Sequence, residues 1–197
     1  MGRRARLFVL SGPSGAGKGT VLSLVREARP ELGLTVSATT RNPREGEVPD
    51  VSYHYLSEEQ FSELVDAGAF LEWATVHGHR YGTLVSEVDA CIASGSSVIL
   101  EIDVQGAFAV REKRPDAVLI FIEPPSMEEL ERRLRSRGTE DEESITLRLA
   151  IARHEMELAE RYDARVVNDD LAEAVRETMS LIDTYETDGG IDQDGSH

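Results

Sequence analysis

A glycine-rich stretch between an apolar run and a helical pattern constrains this chain more than any other feature. The stretch is GPSGAGKG at positions 12–19. The apolar run at 6–10 precedes it, and apolar residues at helical spacing follow at 21–28. Glycines let the backbone curl until successive N–H groups converge on one anion, and a helix N-terminus adds positive potential. In this context the motif predicts a phosphate-binding loop, in which Lys18 supplies a compact positive charge.

The loop departs from the usual pattern at one position. Gly19 follows Lys18, where Ser or Thr ordinarily supplies a hydroxyl ligand for Mg²⁺. Thr20 comes next, and the sequence leaves open whether its hydroxyl replaces the missing one. The flanking strand and helix disfavour the alternative, a glycine turn that binds no ligand.

Apolar runs alternate with helical patterns along the chain, which is typical of an α/β fold with a parallel sheet flanked by helices. The runs predict strands at residues 6–10, 34–38, 97–102, 118–122 and 165–167. A final helix is predicted to begin near Asp170.

Two segments differ from this core. Residues 37–84 are rich in Thr, Pro, Gly and charge and contain a capping box, Ser57 with Gln60, which predicts a helix start. Residues 126–159 predict two highly charged helices that project as a mobile cover. We therefore divide the chain into a core (1–36, 85–125 and 160–186), an inserted lobe (37–84), a helical lid (126–159) and a disordered acidic tail (187–197).

The charge of the chain excludes some classes of partner. Its 197 residues include 21 basic and 37 acidic side chains, a formal net charge of −16. Nucleic-acid polymers and anionic membranes both require a basic surface, and no apolar run reaches the roughly 20 residues that span a bilayer. Eight basic and two acidic residues in the first 44 positions indicate a local anion site instead. The single cysteine, Cys91, cannot form an internal disulfide, which favours a cytoplasmic location.

A second anion site is predicted in the inserted lobe. Arg41 and Arg44 are three residues apart, so their guanidinium groups could clamp one phosphate, and Tyr53 and Tyr81 could add hydroxyl donors. Glu72 lies in an apolar and aromatic stretch, where a carboxylate could accept hydrogen bonds from guanine N1–H and N2–H₂. The alternatives are a solvated arginine pair, a carboxylate at a strand edge and two core tyrosines.

The phosphate loop leaves few classes of enzyme for a chain of this length. A GTPase requires an Asn-Lys-x-Asp motif, and the sequence contains none. A large ATPase requires a longer chain. A small nucleotide kinase fits best.

The sequence resembles the guanylate kinase family in seven stretches, which follow the family's order over about residues 7–171. They are GPSGAGKGT, VSATTRNPREGE, FLEWATVHGHRYGT, ILEIDVQGA, FIEPPS, RLRSRGTEDEESITLRL and VVNDDL. The family reversibly transfers the γ-phosphate of ATP to GMP, giving ADP and GDP. The resemblance implies a P-loop NTPase-type α/β fold with a mixed α/β GMP-binding lobe and a lid that closes over ATP.

The resemblance also implies roles for individual residues. Catalysis falls to Lys18, Arg44, Arg137 and Arg148. ATP binding falls to Gly12, Pro13, Ser14, Gly15, Ala16, Gly17, Lys18, Gly19, Thr20, Arg133, Asn168 and Asp169. GMP binding falls to Ser37, Arg41, Arg44, Tyr53, Glu72, Tyr81, Thr83, Glu101 and Asp103. The implied cofactor is Mg²⁺ bound with ATP, and its candidate ligands are Thr20 and Asp103.

Two residues depart from the family pattern: Ser52 where Asp is frequent, and Tyr55 where Phe is common. One alternative function is a non-catalytic interaction module of the same fold, which the intact loop and Lys18 disfavour. Another is a kinase for a different nucleoside monophosphate, which Glu72 disfavours. We expect nucleotides as partners, neither a nucleic-acid polymer nor a membrane, and a monomer or homodimer.

Overall fold

The computed structural model describes residues 3–76, 78–136 and 141–187. In chain order its elements are β1 (Leu7–Ser11), α1 (Lys18–Ala28), β2 (Ala38–Thr39), β3 (His54–Tyr55), α2 (Glu58–Asp66), β4 (Phe70–Val76), β5 (His79–Leu84), α3 (Val85–Ala93), β6 (Val98–Glu101), α4 (Val104–Lys113), β7 (Val118–Glu123), α5 (Met127–Ser136), α6 (Glu142–Glu157), a single-turn 3₁₀ helix (Ala159–Arg161), β8 (Ala164–Val167) and α7 (Leu171–Thr187).

The core is a parallel sheet in the order β6-β1-β7-β8, with helices on both faces. Side chains of β1 alternate between the two faces. Leu7 and Val9 pack with α3 and α4, whereas Phe8 and Leu10 pack with α1 and α7. Because both faces are covered, the central strands are continuous apolar runs, and the predicted α/β fold class is confirmed.

The inserted lobe has its own sheet, which is mixed and has the order β3-β2-β5-β4. Helix α2 covers it, and Phe61 stacks on Phe70 with ring centroids 4.3 Å apart. The predicted capping box is confirmed, because Ser57 Oγ accepts from the Gln60 N–H and the Gln60 side chain accepts from the Ser57 N–H. The lobe therefore has a small apolar core separate from the main sheet.

The strand predicted at 34–38 is wrong. Only Ala38 and Thr39 are extended in a ladder, and they belong to the lobe sheet. Gly33 makes an isolated bridge to Val98, and Leu34 is 65% exposed. The segment connects the core to the lobe, so its apolar residues lack the neighbours that would bury them in a sheet.

The lid consists of α5 and α6, which pack on each other through a third apolar cluster that contains Leu130, Leu134, Ile145, Leu149 and Ala152. Helix α7 extends to Thr187, the first residue of the predicted tail. The rest of that tail, 188–197, lies outside the described residues.

Candidate functional site

The glycine-rich loop connects β1 to α1 at the carboxyl end of the core sheet. Gly12 has φ 139°, and a Cβ there would overlap the carbonyl oxygen of Ile122 on the neighbouring strand. Gly17 has φ 94° and is the N-cap of α1. Both positions require glycine, because an L side chain strains this backbone. The loop thus curls above the N-terminus of α1, the geometry that the sequence motif predicts.

A cavity of about 360 Å³ opens at this loop. It is lined by Ser14, Gly15, Gly17, Lys18, Gly19, Thr20 and Glu101. The Lys18 ammonium donates to the carbonyl oxygens of Gly12 (2.6 Å) and Pro13 (3.0 Å). Burial lowers the pKa of Lys18, while the negative charges of Glu101, Glu155 and Asp103 oppose that shift. The cavity therefore combines a half-buried cation, backbone N–H groups and a helix N-terminus, which suits a phosphate chain.

Glu101 lies beside Gly19, the position at which the loop departs from the usual pattern. A Cβ at Gly19 would lie 3.3 Å from Glu101 Oε2, so a larger side chain there would be in close contact with this carboxylate. Thr20 lines the same cavity. Oxygen ligands are therefore present beside the loop even though the hydroxyl at the usual position is missing.

Asn168 contacts the loop directly. Its side-chain N–H₂ donates to the Ala16 backbone carbonyl at 2.7 Å, and the backbone carbonyl of Asn168 accepts from Arg133 Nη2 at 2.9 Å. Asn168 is 6% exposed, whereas its predicted partner in ATP binding, Asp169, is exposed. Asn168 thus fixes the loop and connects it to the lid helix α5, a role that the sequence did not indicate.

A larger cavity, about 630 Å³, lies between the lobe and the core. Seven of the predicted GMP-binding residues line it: Ser37, Tyr53, Glu72, Tyr81, Thr83, Glu101 and Asp103. Glu101 also lines the loop cavity, so the two cavities adjoin at this carboxylate. Asp103 is the N-cap of α4, and its Oδ1 accepts from the Gly106 N–H at 2.7 Å.

Glu72 lies opposite Thr83 in the β4–β5 ladder, and the Thr83 hydroxyl donates to Glu72 Oε1 at 2.8 Å. Burial raises the pKa of Glu72, and the charge of Asp103 raises it further, while the hydrogen bond from Thr83 and the charge of Lys113 oppose this shift. Lys113 lines the same cavity and donates to the Phe70 carbonyl. A partly buried carboxylate with one oxygen already paired is suited to accept from a flat donor edge.

The two predicted clamp arginines do not line the larger cavity. Arg41 lies over the Tyr53 ring, 5.4 Å from its centroid, and Tyr53 contacts Tyr81 edge-on at 6.0 Å. Both tyrosines line the cavity, so Arg41 lies behind its rim. Arg44 is exposed, and its backbone N–H donates to Glu47 at 2.7 Å.

The lid arginines differ in their surroundings. Arg133 pairs with Glu129 at 2.8 Å and with the Asn168 carbonyl, and Arg148 is half-buried on α6. Arg137 lies outside the described residues.

Sequence reasoning missed Glu47 and Glu155. Glu155 is half-buried on α6, and burial raises its pKa while Lys18 opposes the shift. Glu155 is one glutamate among many in an acidic chain. Glu47 ends the stretch VSATTRNPREGE, but nothing in its spacing indicated a contact with Arg41.

Within the described ranges, no group of three or more His, Cys, Asp or Glu side chains is arranged to hold a metal ion. Magnesium sites in kinases commonly use one or two carboxylates together with substrate phosphates. Glu101, Asp103 and Thr20 fit that pattern. Among the helices of the described residues, none is long and apolar enough to cross a membrane.

The chain is similar in sequence to known proteins over most of its length. The family model described as guanylate kinase matches residues 4–185. The chain is 50% identical over 176 residues to a guanylate kinase of Synechococcus sp. strain CC9311, covering 89% of this chain and 93% of that one. It is 49% identical over 180 residues to a guanylate kinase of Rubrobacter xylanophilus, covering 91% and 94%.

A solved structure shows the same fold. The crystal structure of guanylate kinase from Anaplasma phagocytophilum superposes with a TM-score of 0.70 at 32% sequence identity. The match covers 95% of this chain and 89% of that one.

Proposed function

Because this chain belongs to the guanylate kinase family and phosphorylates GMP with ATP, we propose that its two cavities hold the two nucleotides. ATP binds at the glycine-rich loop, and GMP binds in the larger cavity. The shared carboxylate of Glu101 supports this assignment, because phosphoryl transfer requires adjoining sites.

Glu72 recognises guanine in this proposal. Its ionised carboxylate accepts from N1–H and N2–H₂, and Thr83 holds one of its oxygens, while Ser37 lines the same cavity. Adenine presents no such pair of donors, so an adenine in this site leaves a buried charge unsatisfied. The observation that carries the proposal is the half-buried carboxylate in a cavity of suitable size.

The GMP phosphate is held by Arg41 and Arg44 together with the hydroxyls of Tyr53 and Tyr81. The two tyrosines line the cavity, and Arg41 lies directly behind them. The phosphate is already anionic, so it attacks without a general base. The role of this clamp is to hold the attacking oxygen in line with the γ-phosphate of ATP.

Charge that develops on the transferred group is neutralised from the loop and from the lid. Lys18 turns from the Gly12 and Pro13 carbonyls to the phosphates, and Arg137 and Arg148 approach from the lid. Arg133 moves toward the phosphates with the lid, and its hydrogen bond to the Asn168 backbone carbonyl orients its guanidinium.

Mg²⁺ bound together with ATP would supply positive charge near the reacting phosphates. Thr20 in the loop cavity, Asp103 in the larger cavity and Glu101 in both would offer this ion the hard oxygen ligands that it prefers. Asp103 keeps Oδ2 for this purpose, since Oδ1 caps α4.

The lobe (37–84) and the lid (126–159) move as units over the core when both nucleotides are bound. Their separate apolar clusters support this division, because each can shift without disturbing the main sheet. Closure excludes water and thereby limits hydrolysis of ATP. We propose that the enzyme works as a monomer or as a homodimer. We assign it to the cytoplasm, because its single cysteine, Cys91, forms no internal disulfide.

A coupled assay that detects ADP tests the base assignment with GMP, AMP, CMP and UMP. We expect turnover with GMP alone. Robust turnover of AMP would refute the role of Glu72, and no turnover with any of the four would favour a non-catalytic interaction module.

A further inference from the structure

Four hydrogen-bond donors converge on the carboxylate of Glu47. Arg41 donates from Nη2 to Oε1 at 2.8 Å and from Nη1 to Oε2 at 3.1 Å. The Arg44 N–H and the Tyr55 hydroxyl both donate to Oε2 at 2.7 Å. One side chain thus connects both clamp arginines with strand β3 of the lobe.

These contacts leave Arg41 little freedom. Its Nη1 also donates to the Asn42 carbonyl at 2.7 Å, its side chain is 11% exposed, and its guanidinium lies over the Tyr53 ring. The hydrogen bonds from Arg41 lower the pKa of Glu47 to about 2, so the carboxylate stays ionised at neutral pH.

The position of Glu47 relative to the cavity decides what these contacts achieve. Tyr53 and Tyr81 line the larger cavity, but Glu47 and Tyr55 do not. Glu47 is therefore not part of the cavity wall, and its contacts with Arg41 do not occupy the space proposed for the GMP phosphate. A guanidinium has five N–H donors, so Arg41 keeps donors for a phosphate that arrives from the cavity side.

We propose that Glu47 is a positioning residue for the GMP phosphate and that Tyr55 supports it. Glu47 acts through Arg41 and through the backbone of Arg44, and it holds both before GMP arrives. A preorganised arginine loses less rotamer freedom on binding, so GMP binds more tightly. This proposal rests on the proposed role of Arg41 and Arg44 as the phosphate clamp.

Steady-state kinetics of Glu47→Gln, Tyr55→Phe and the control Glu45→Gln test the proposal. Glu45 is an exposed glutamate in the same loop, so its substitution removes the same charge. We expect KM for GMP to rise about tenfold in Glu47→Gln and about threefold in Tyr55→Phe, the effects of losing a charge-assisted and a single hydrogen bond. We expect kcat, KM for ATP and all constants of Glu45→Gln to stay within about twofold of wild type, because Glu47 supports binding and not the transfer step.

An Arg41→Ala background distinguishes the proposed role of Glu47 from the proposed role of Arg41 and Arg44 as the phosphate clamp. If Glu47 acts through Arg41, Glu47→Gln raises KM for GMP much less in that background than in wild type. If Arg41→Ala itself leaves KM for GMP unchanged, the clamp assignment fails. If Arg41→Ala raises KM while Glu47→Gln does not, or if both effects persist in full together, only the role of Glu47 is overturned.

A fall in KM for GMP in Glu47→Gln would also overturn the proposal, because it would make Glu47 a competitor of the phosphate. Thermal unfolding of each variant controls for folding. If Glu47→Gln does not fold, Tyr55→Phe decides: a raised KM for GMP with unchanged kcat supports the proposal, and an unchanged KM overturns it.

Discussion

Burial raises the pKa of Glu72, and this effect outweighs the hydrogen bond from the Thr83 hydroxyl, which lowers the pKa; the charge of Asp103 raises it further. An acid whose pKa is higher in the folded chain than in the unfolded chain binds more protons when folded. Its contribution to the free energy of unfolding therefore falls as pH rises between the two pKa values. At neutral pH, where guanine recognition needs the ionised form, Glu72 lowers the stability of the fold.

Glu72→Gln separates the effect of this carboxylate on guanine recognition from its effect on the stability of the fold. We expect kcat/KM for GMP to fall about 100-fold, because the amide places a donor opposite a guanine donor. We also expect the free energy of unfolding at neutral pH to stay equal or rise. In the wild type, kcat/KM for GMP declines as pH falls toward the raised pKa of Glu72, and the variant lacks this decline.

Glu63→Gln, on the exposed face of α2, is the charge-matched control for these measurements. The readouts are kinetics with GMP and AMP from pH 5 to 8 and denaturant unfolding at pH 7. An unchanged preference for GMP over AMP would remove Glu72 from base recognition.

Single residues also show where sequence reasoning reached its limit. Lys18 and Glu72 stood out because a glycine loop and an apolar stretch surround them, so their chemistry followed from their neighbours in the chain. Asn168 contacts Ala16 across 152 positions of sequence, and that pairing depends on how the strands are ordered. Glu47 needed the fold of the lobe loop, which brings it back to Arg41.

Predictions of helices and strands were most accurate where a local sequence pattern marked the element. The Ser57–Gln60 capping box fixed the start of α2, and the buried runs of β1, β6 and β7 were found to within one or two residues. The run at 34–38 has a similar apolar character but lies where the chain leaves the core. Burial depends on tertiary neighbours, so composition did not distinguish the linker from a strand.

Helix α7 is attached to the core by a buried ion pair that the sequence did not suggest. Glu186 is 5% exposed, accepts from Arg29 Nη2 at 3.0 Å and accepts from the Ser97 hydroxyl at 2.6 Å. Arg29 also pairs with Asp183, which is one turn earlier and 49% exposed. The same arginine thus has one buried and one exposed partner on one helix.

Glu186→Ala is expected to lower the free energy of unfolding by about 2–3 kcal/mol, because it removes a buried hydrogen bond between charged groups and leaves Arg29 with only the more exposed carboxylates of Asp183 and Glu31. Asp183→Ala, which removes the exposed partner, is the matched control and should lower it by about 1 kcal/mol or less. Urea unfolding measures both. Equal decreases in the free energy of unfolding of the two variants would mean that the buried ion pair stabilises the fold no more than the exposed one.

The whole molecule combines a strongly acidic surface with anionic substrates. Its net charge of −16 repels nucleotides at a distance, so we expect binding to depend on short-range contacts with the proposed site residues, Lys18 and the arginines. Those cations come from the core, the lobe and the lid, each of which has its own apolar cluster. If these residues act as proposed, full neutralisation of the phosphates requires the three parts to approach one another, and we expect transfer to depend on closure.

Trp73, the single tryptophan, offers a direct measure of this closure. It lines the larger cavity, is 44% exposed and contacts Phe61 edge-on at 6.2 Å. We expect its emission to shift to shorter wavelength when GMP binds, and further when a non-hydrolysable ATP analogue is added, because closure removes water from the cavity. The analogue alone and AMP alone should leave the emission almost unchanged. A full shift with the analogue alone would show that closure does not wait for GMP, and the coupling between the two sites would have to be abandoned.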